Sequence, residues 1–192
     1  MKCKHCGRVV WEGGRERDYI QVTGDEAIKG NFSKYGREVT LKTIEYILMD
    51  KEEELISLLR EAKDDFTLPD RRIKLDFDDI AFTIQLHQPL SKAPNTSYYR
   101  GARYANQYFN TDIRDEDMVK MIYVKRVPGY PPTDVICFLD QTNLPPGIVV
   151  DWGRMFNLTV KTKVESKLTL VNLSWNRILG QKSISDFFSK EE

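Results

Sequence analysis

Residues 80–86 read IAFTIQL, and this short stretch decides the fold class that we expect. Large apolar side chains alternate in it with smaller or polar ones, at Ile80, Phe82, Ile84 and Leu86. Alternation with a period of two residues is typical of a strand that buries one face. Because the chain upstream has a different period, the sequence predicts a change from helix to strand shortly after Pro69.

Upstream of Pro69, residues 40–66 have the spacing of an amphipathic helix. Apolar residues recur there three, four or seven positions apart, at Leu41, Ile44, Leu48, Leu55 and Leu59. Asp50 and Glu53 have the spacing of a capping box, which marks the start of a helix. We therefore expect helix over this range, broken into two near Asp50.

Downstream, several apolar runs separated by prolines predict further strands. The candidates are residues 119–127, 134–139, 147–152, 156–164 and 168–173. A helical part followed by a run of strands indicates an α+β fold. We expect an N-terminal helical part and then a mostly antiparallel β sheet or barrel, with a flexible C-terminal peptide.

Composition divides the chain into four segments. Residues 1–36 carry a cysteine pair and many glycines, 37–70 are helical, 71–179 form a β-rich body, and 180–192 are a polar tail. With 192 residues and 41% hydrophobic content, the chain is long enough to bury a core.

No apolar run has the length of a membrane span or of a secretory signal. We expect a cytoplasmic protein, nucleoid-associated or nuclear in a eukaryote, and not a secreted one.

The charge of the chain is balanced overall but uneven along the sequence. The formal net charge is zero, which favours no class of partner. Residues 45–79 contain twelve acidic and six basic side chains, whereas residues 154–182 contain one acidic and six basic. A basic C-terminal part is compatible with a nucleic-acid partner.

The tail begins with QKSISDFF, residues 181–188, and places two phenylalanines in a polar context. Gln181, Ile184, Phe187 and Phe188 match the spacing Q-x-x-[ILM]-x-x-[FY]-[FY]. This resembles the PIP box, by which replication and repair proteins bind the sliding clamp PCNA. One helical turn would bring the three apolar side chains to one side as an anchor, with the glutamine amide at its edge.

The resemblance covers eight residues and implies a clamp-binding accessory protein of DNA replication or repair. Such terminal peptides are familiar in archaeal proteins and in viruses that recruit a host clamp. The body would then bind DNA or another replisome protein. One alternative is an inhibitor that occupies the clamp and excludes the host polymerase. Another is an amphipathic turn that docks on its own domain.

Residues 98–104, YYRGARY, combine aromatic rings with arginines, as proteins that bind single strands do. Lysines later in the chain add positive charge. The candidate nucleic-acid-binding residues are Tyr98, Tyr99, Arg100, Arg103, Tyr104, Lys161 and Lys163. The alternative is that the tyrosines belong to the core and that the arginines pack their stems against it.

The cysteine pair Cys3 and Cys6 resembles half of a zinc ribbon. A structural zinc site needs four ligands, and Cys137 and His87 are the candidates to complete this one. Two alternatives remain, a zinc ion shared between two chains and ordinary reduced thiols.

The sequence favours a protein without catalytic activity, and a Mg²⁺-dependent nuclease is the alternative. Asp134, followed later by Glu165 and Lys167, is similar to the PD-(D/E)xK nuclease pattern, in which two carboxylates on adjacent strands hold Mg²⁺. One extra residue separates the proline from the aspartate here. Asp76 and Asp78 would also face one side of a strand, a spacing that suits two metal ions.

Overall fold

The computed structural model describes residues 5–23 and 32–180, and the helices come mainly before and after a central sheet. The strands are β1 (His5–Glu12), β2 (Arg15–Thr23), β3 (Phe82–Gln85), β4 (Met118–Arg126), β5 (Val135–Phe138) and β6 (Val149–Val150). The helices are α1 (Lys34–Leu48), α2 (Glu52–Thr67), α3 (Pro69–Arg72), α4 (Phe77–Ile80), α5 (Ser97–Tyr108), α6 (Trp152–Phe156), α7 (Thr162–Leu170) and α8 (Trp175–Ile178). None of the helices in these two ranges combines the length and hydrophobicity that crossing a membrane requires.

The main sheet is antiparallel and open. Its strands lie in the order β3-β4-β5, and β6 pairs with the far end of β4. Phe82 is opposite Met121, and Met121 is opposite Cys137. Opposite residues share a face of the sheet, so these three side chains point the same way. The α+β class is confirmed, and the described strands form an open sheet and not a barrel.

The two predicted helices before Pro69 are present and break where expected. Ser33 caps α1, its hydroxyl oxygen accepting the N–H of Gly36 at 3.0 Å. Asp50 has φ +56° and turns the chain between α1 and α2. The expected capping box is wrong, because Lys51 occupies the N-cap of α2 and makes no side-chain cap bond.

The strands predicted over 156–164 and 168–173 are wrong. Residues 152–170 form α6, a π-helical turn over Asn157–Lys161, and α7. The buried positions are Met155, Thr159, Val160, Val164 and Leu168. Apart from the adjacent pair Thr159 and Val160, successive buried positions are four residues apart, which is the spacing of one helical face. Many residues over 156–173 are apolar or β-branched. An apolar residue at every second position therefore occurs here without a strand.

A β-hairpin at the N-terminal end was not predicted. β1 and β2 pair from His5–Thr23 to Glu12–Arg15, joined by Gly13 and Gly14. Both glycines have positive φ, +58° and +77°, as a two-residue type I′ turn requires. The Gly-Gly pair between two alternating runs was the available sequence signal.

The strand expected to carry Asp76 and Asp78 on one face is also wrong at these residues. Asp76 is the N-cap of α4, and its carboxylate accepts the N–H of Asp78. Asp78 forms a 2.8 Å ion pair with Lys120 of β4. Both carboxylates therefore stabilise the short helix and its junction with the sheet.

Candidate nucleic-acid interface

α5 lies on β5 and separates the aromatic from the basic residues of the YYRGARY stretch. Tyr99 and Tyr104 are only 3% and 9% exposed. The Tyr104 hydroxyl donates to the carbonyl oxygen of Pro131 at 2.7 Å, and the Tyr99 hydroxyl accepts the N–H of His87. These two rings belong to the core and cannot stack on bases while the fold is intact. Tyr98 is half-buried, with its ring centroid 4.6 Å from that of Tyr99.

The outward side of α5 forms one wall of an open groove of about 380 Å³, which we call the α5 groove. Its opposite wall is the loop over residues 131–134. The polar side chains that line it are Asn95, Arg100, Arg103, Gln107, Thr133 and Asp134. Tyr104, Tyr108, Pro131 and Pro132 complete the lining. The structure thus places the two predicted arginines of α5 beside the predicted catalytic aspartate in one cleft.

Asp134 holds two guanidinium groups. Nη2 of Arg100 donates to both carboxylate oxygens, at 2.8 and 3.0 Å. Nη1 of Arg154 donates to Oδ2 at 3.2 Å. The guanidinium carbon of Arg154 also lies 3.7 Å from the centroid of the Tyr123 ring, a cation–π contact. We call Arg100, Asp134 and Arg154 together the arginine pair cluster. Its net charge is +1.

The ionisation of Asp134 follows from these contacts. Partial burial of the carboxyl opposes its ionisation, but the hydrogen bonds and positive charges of Arg100 and Arg154 outweigh this effect. The pKa of Asp134 is therefore lower than that of an ordinary aspartate. The carboxylate is ionised at neutral pH and is available to hold both arginines.

Arg103 has a structural task in addition to lining the groove. Its Nε donates to the carbonyl oxygen of Leu90 at 2.8 Å, and its Nη2 donates to that of Ala93. These bonds fasten the loop between β3 and α5 to the helix. Removing Arg103 would therefore change both the charge and the shape of the groove.

The predicted lysines lie elsewhere. Lys161 is in the π-helical turn and lines a different cleft, beside Trp175. Lys163 has its ammonium group 4.7 Å from the centroid of the Phe32 ring and lines an apolar groove on the sheet. Neither lysine is among the residues that line the α5 groove.

The predicted nuclease residues do not occupy the expected elements. Glu165 and Lys167 lie on α7, so Asp134 and Glu165 do not have the adjacent-strand placement of the nuclease pattern. Lys167 Nζ donates to the carbonyl oxygen of Lys163 at 3.2 Å. Within the described ranges, no three His, Cys, Asp or Glu side chains cluster in a way that suits a metal ion.

The four candidate zinc ligands have different surroundings. Cys3 lies outside the described residues, and Cys6 belongs to β1. Cys137 is fully buried, and its thiol donates to the carbonyl oxygen of Tyr98 at 3.3 Å. Burial raises the pKa of this thiol far above its usual range, which disfavours the thiolate that zinc needs. His87 is exposed. Zinc binding by the cysteine pair stays a prediction.

Arg154 is the residue that sequence reasoning missed. It lies at the start of α6, where Asp151 caps the helix by accepting the N–H of Arg154 at 3.1 Å. Twenty positions separate it from Asp134 in the sequence, and no local pattern connects them. Only the packing of α6 against β4 brings the two side chains together.

No family model matches the chain, and no curated protein sequence matches it either. The predicted clamp-binding residues Gln181, Ile184, Phe187 and Phe188 lie outside the described residues, which end at Gly180.

Proposed function

We propose that this chain is a sliding-clamp-associated protein of DNA replication or repair, with a tail that binds the clamp and a body that contacts DNA through the α5 groove. The observation that carries the proposal is the match of Gln181, Ile184, Phe187 and Phe188 to the clamp-binding spacing. Aromatic side chains of this kind contribute binding free energy when they fill a pocket of a partner, and their exposure to water is unfavourable.

The position of the tail supports this function. Among the described residues the last helix is α8, which ends at Ile178, and Gly180 follows with φ +65°. A left-handed glycine just after a helix is a common helix stop. Twelve residues follow it, and the clamp-binding pattern begins at the first of them. The pattern therefore begins directly after the last residue that the structure describes.

The α5 groove supports the DNA contact. Guanidinium groups bind phosphates through two parallel hydrogen bonds, and this recognition does not depend on base sequence. Of the two tyrosines that line the groove, Tyr104 is buried and Tyr108 is half-buried, so the groove offers its arginines to the backbone and at most one ring to a base. A tether to a clamp raises the local concentration of DNA to about millimolar, so even a weak phosphate contact would be occupied.

The first test is a calorimetric titration of the full-length protein into a purified archaeal or eukaryotic clamp. The double variant Phe187→Ala/Phe188→Ala should lose the binding heat that the wild type gives. A matched control, Ser183→Ala/Ser185→Ala, changes only tail positions outside the pattern and should bind like the wild type. Equal heats from the wild type and the phenylalanine variant would contradict clamp binding.

An accessory role and an inhibitory role predict different effects on synthesis. Adding an accessory protein to clamp-dependent primer extension should leave the rate unchanged or raise it. An inhibitor that fills the clamp's pocket should lower the rate, and the phenylalanine variant should then restore it. A lowered rate would overturn the accessory role while keeping the tail as the clamp ligand.

A further inference from the structure

We propose that Asp134 is a positioning residue that assembles Arg100 and Arg154 into a two-guanidinium site for a phosphate group of the DNA backbone. The inference rests on the proposed DNA contact of the α5 groove. Arg100 and Asp134 line this groove, whereas Arg154 is not among its lining residues and joins them through its contact with Asp134. It also has a counter-intuitive consequence: a negative charge in the groove strengthens the binding of a polyanion.

The arginine pair cluster leaves hydrogen-bond donors for a ligand. An arginine has five N–H donors. Arg154 gives Nη1 to Asp134, and within the described residues its Nε and Nη2 have no protein acceptor. The side chains of Arg100, Arg154 and Asp134 are 36%, 41% and 47% exposed. A phosphate that approaches from solvent can therefore reach guanidinium groups that are already held in place.

Three contacts fix Arg154. Asp151 holds its backbone N–H at the start of α6, the Tyr123 ring lies under its guanidinium plane, and Asp134 binds its Nη1. Long side chains lose much rotamer freedom when they bind a ligand. A guanidinium that is ordered beforehand loses less, which raises affinity for the phosphate.

Asp134 is the shared support of the two arginines. It is the one carboxylate among the described residues that line the α5 groove, which also contains Arg100 and Arg103. A purely electrostatic view predicts that removing this charge raises the positive potential and tightens DNA binding. The positioning view predicts the opposite, because Arg100 and Arg154 would lose their common partner and separate.

The experiment measures binding of the full-length protein to a fluorescent duplex oligonucleotide and to the corresponding single strand. Anisotropy titrations are repeated between about 50 and 200 mM salt, because the slope of log K against log salt counts phosphate contacts at about 0.9 per contact on a duplex. The variants are Asp134→Asn, Arg154→Ala and Arg154→Lys. Thermal melting confirms that each variant is folded.

We expect Asp134→Asn and Arg154→Ala each to weaken binding by about three- to tenfold and to lower the salt slope by about one contact. Arg154→Lys keeps the charge but loses the planar stack on Tyr123, so its affinity should be intermediate. The matched control is Asp78→Asn, which removes a carboxylate from an exposed ion pair with Lys120 outside the groove. It should bind DNA as tightly as the wild type or slightly more tightly.

Tighter or unchanged binding by Asp134→Asn would overturn the positioning role. An unchanged affinity and salt slope in Arg154→Ala would do the same, and DNA binding by the wild type would then be assigned to another surface. If the wild type itself shows no salt-dependent binding to either oligonucleotide, the proposed DNA contact fails, and this inference fails with it.

Discussion

Gly101 of α5 packs directly against Cys137 of β5. A Cβ atom at position 101 would lie 2.8 Å from the Cys137 Sγ and 3.0 Å from the Cys137 backbone nitrogen. Real Cβ atoms essentially never come so close to other heavy atoms, so the approach of the helix to the sheet depends on the missing side chain. The neighbour of Gly101 on α5 is Arg100, and this packing therefore also sets the position of one wall of the groove.

Gly101→Ala should destabilise the protein by about 1–3 kcal/mol, because the added methyl group must push α5 away from the backbone of β5. Chemical denaturation monitored by circular dichroism measures the change. Gly153→Ala is the matched control. Gly153 also lies in a helix, α6, but a Cβ atom there would have its nearest neighbour, Oδ1 of Asp151, 3.8 Å away. This control should be neutral or stabilising by up to about 1 kcal/mol. Equal stability of the two variants would contradict the close packing.

The Cys137 thiol should be unreactive in the folded protein. Burial raises its pKa, so the thiol remains protonated at neutral pH, and only the thiolate is a good nucleophile. In a Cys3→Ser/Cys6→Ser background, an alkylating reagent should label the chain only after denaturation. Labelling of the native protein at neutral pH would show that Cys137 is accessible, contrary to its burial.

Glu116 is expected to be a site of backbone strain. Its φ is +71°, and its N–H donates to the carbonyl oxygen of Leu86 at 2.9 Å. A residue with a side chain is disfavoured there by about 1–2 kcal/mol, whereas glycine is not. Glu116→Gly should stabilise the fold by about 0.5–1 kcal/mol after the greater chain entropy of glycine is included.

The control for this substitution is Asp115→Gly, at an exposed neighbour that does not have positive φ. It should be neutral or destabilising in the same thermal melt. A lower melting temperature for Glu116→Gly than for the wild type would contradict the strain.

The ion pairs of Asp134 predict a small dependence of stability on pH. The folded-state pKa of Asp134 is lowered, so its stabilising contribution is complete above the unfolded-state pKa of about 4 and is lost as the pH falls through the folded-state value. Because the group is 47% exposed, the contribution should stay below about 1 kcal/mol. Urea unfolding should show that the free energy of unfolding of the wild type exceeds that of Asp134→Asn at pH 7, and that this difference shrinks as the pH falls to about 3. A constant difference across this range would contradict the assignment.

The elements with a clear period were predictable from the sequence. α2 repeats its buried residues, such as Leu55, Leu59 and Phe66, on one face. The alternating residues 80–86 contain β3 (Phe82–Gln85), although Ile80 belongs to α4. The residues around Val160 were not predictable, because their composition suits a strand and only burial of one helical face selects the helix. The hairpin turn does have a sequence signal, the adjacent pair Gly13 and Gly14, both of which adopt positive φ.

The candidate site was predictable only in part. Arg100 and Arg103 were selected from a short local motif, and both line the groove. The same motif also selected Tyr99 and Tyr104, because sequence alone does not distinguish the buried side of α5 from the exposed side. Arg154 was beyond reach, since its connection to Asp134 exists only in the tertiary structure.

The attachment of α8 determines how a mechanical load on the tail would spread through the protein. Trp175 and Ile178 are buried, Arg60 of α2 donates to the carbonyl oxygen of Ile178, and Arg177 forms an ion pair with Glu52 at the start of α2. A pull on the chain beyond Gly180 would therefore reach α2 first, more than a hundred residues away in sequence. Trp175 also packs on Phe156 of α6, with ring centroids 5.6 Å apart, so part of the load would pass to the helix that carries Arg154.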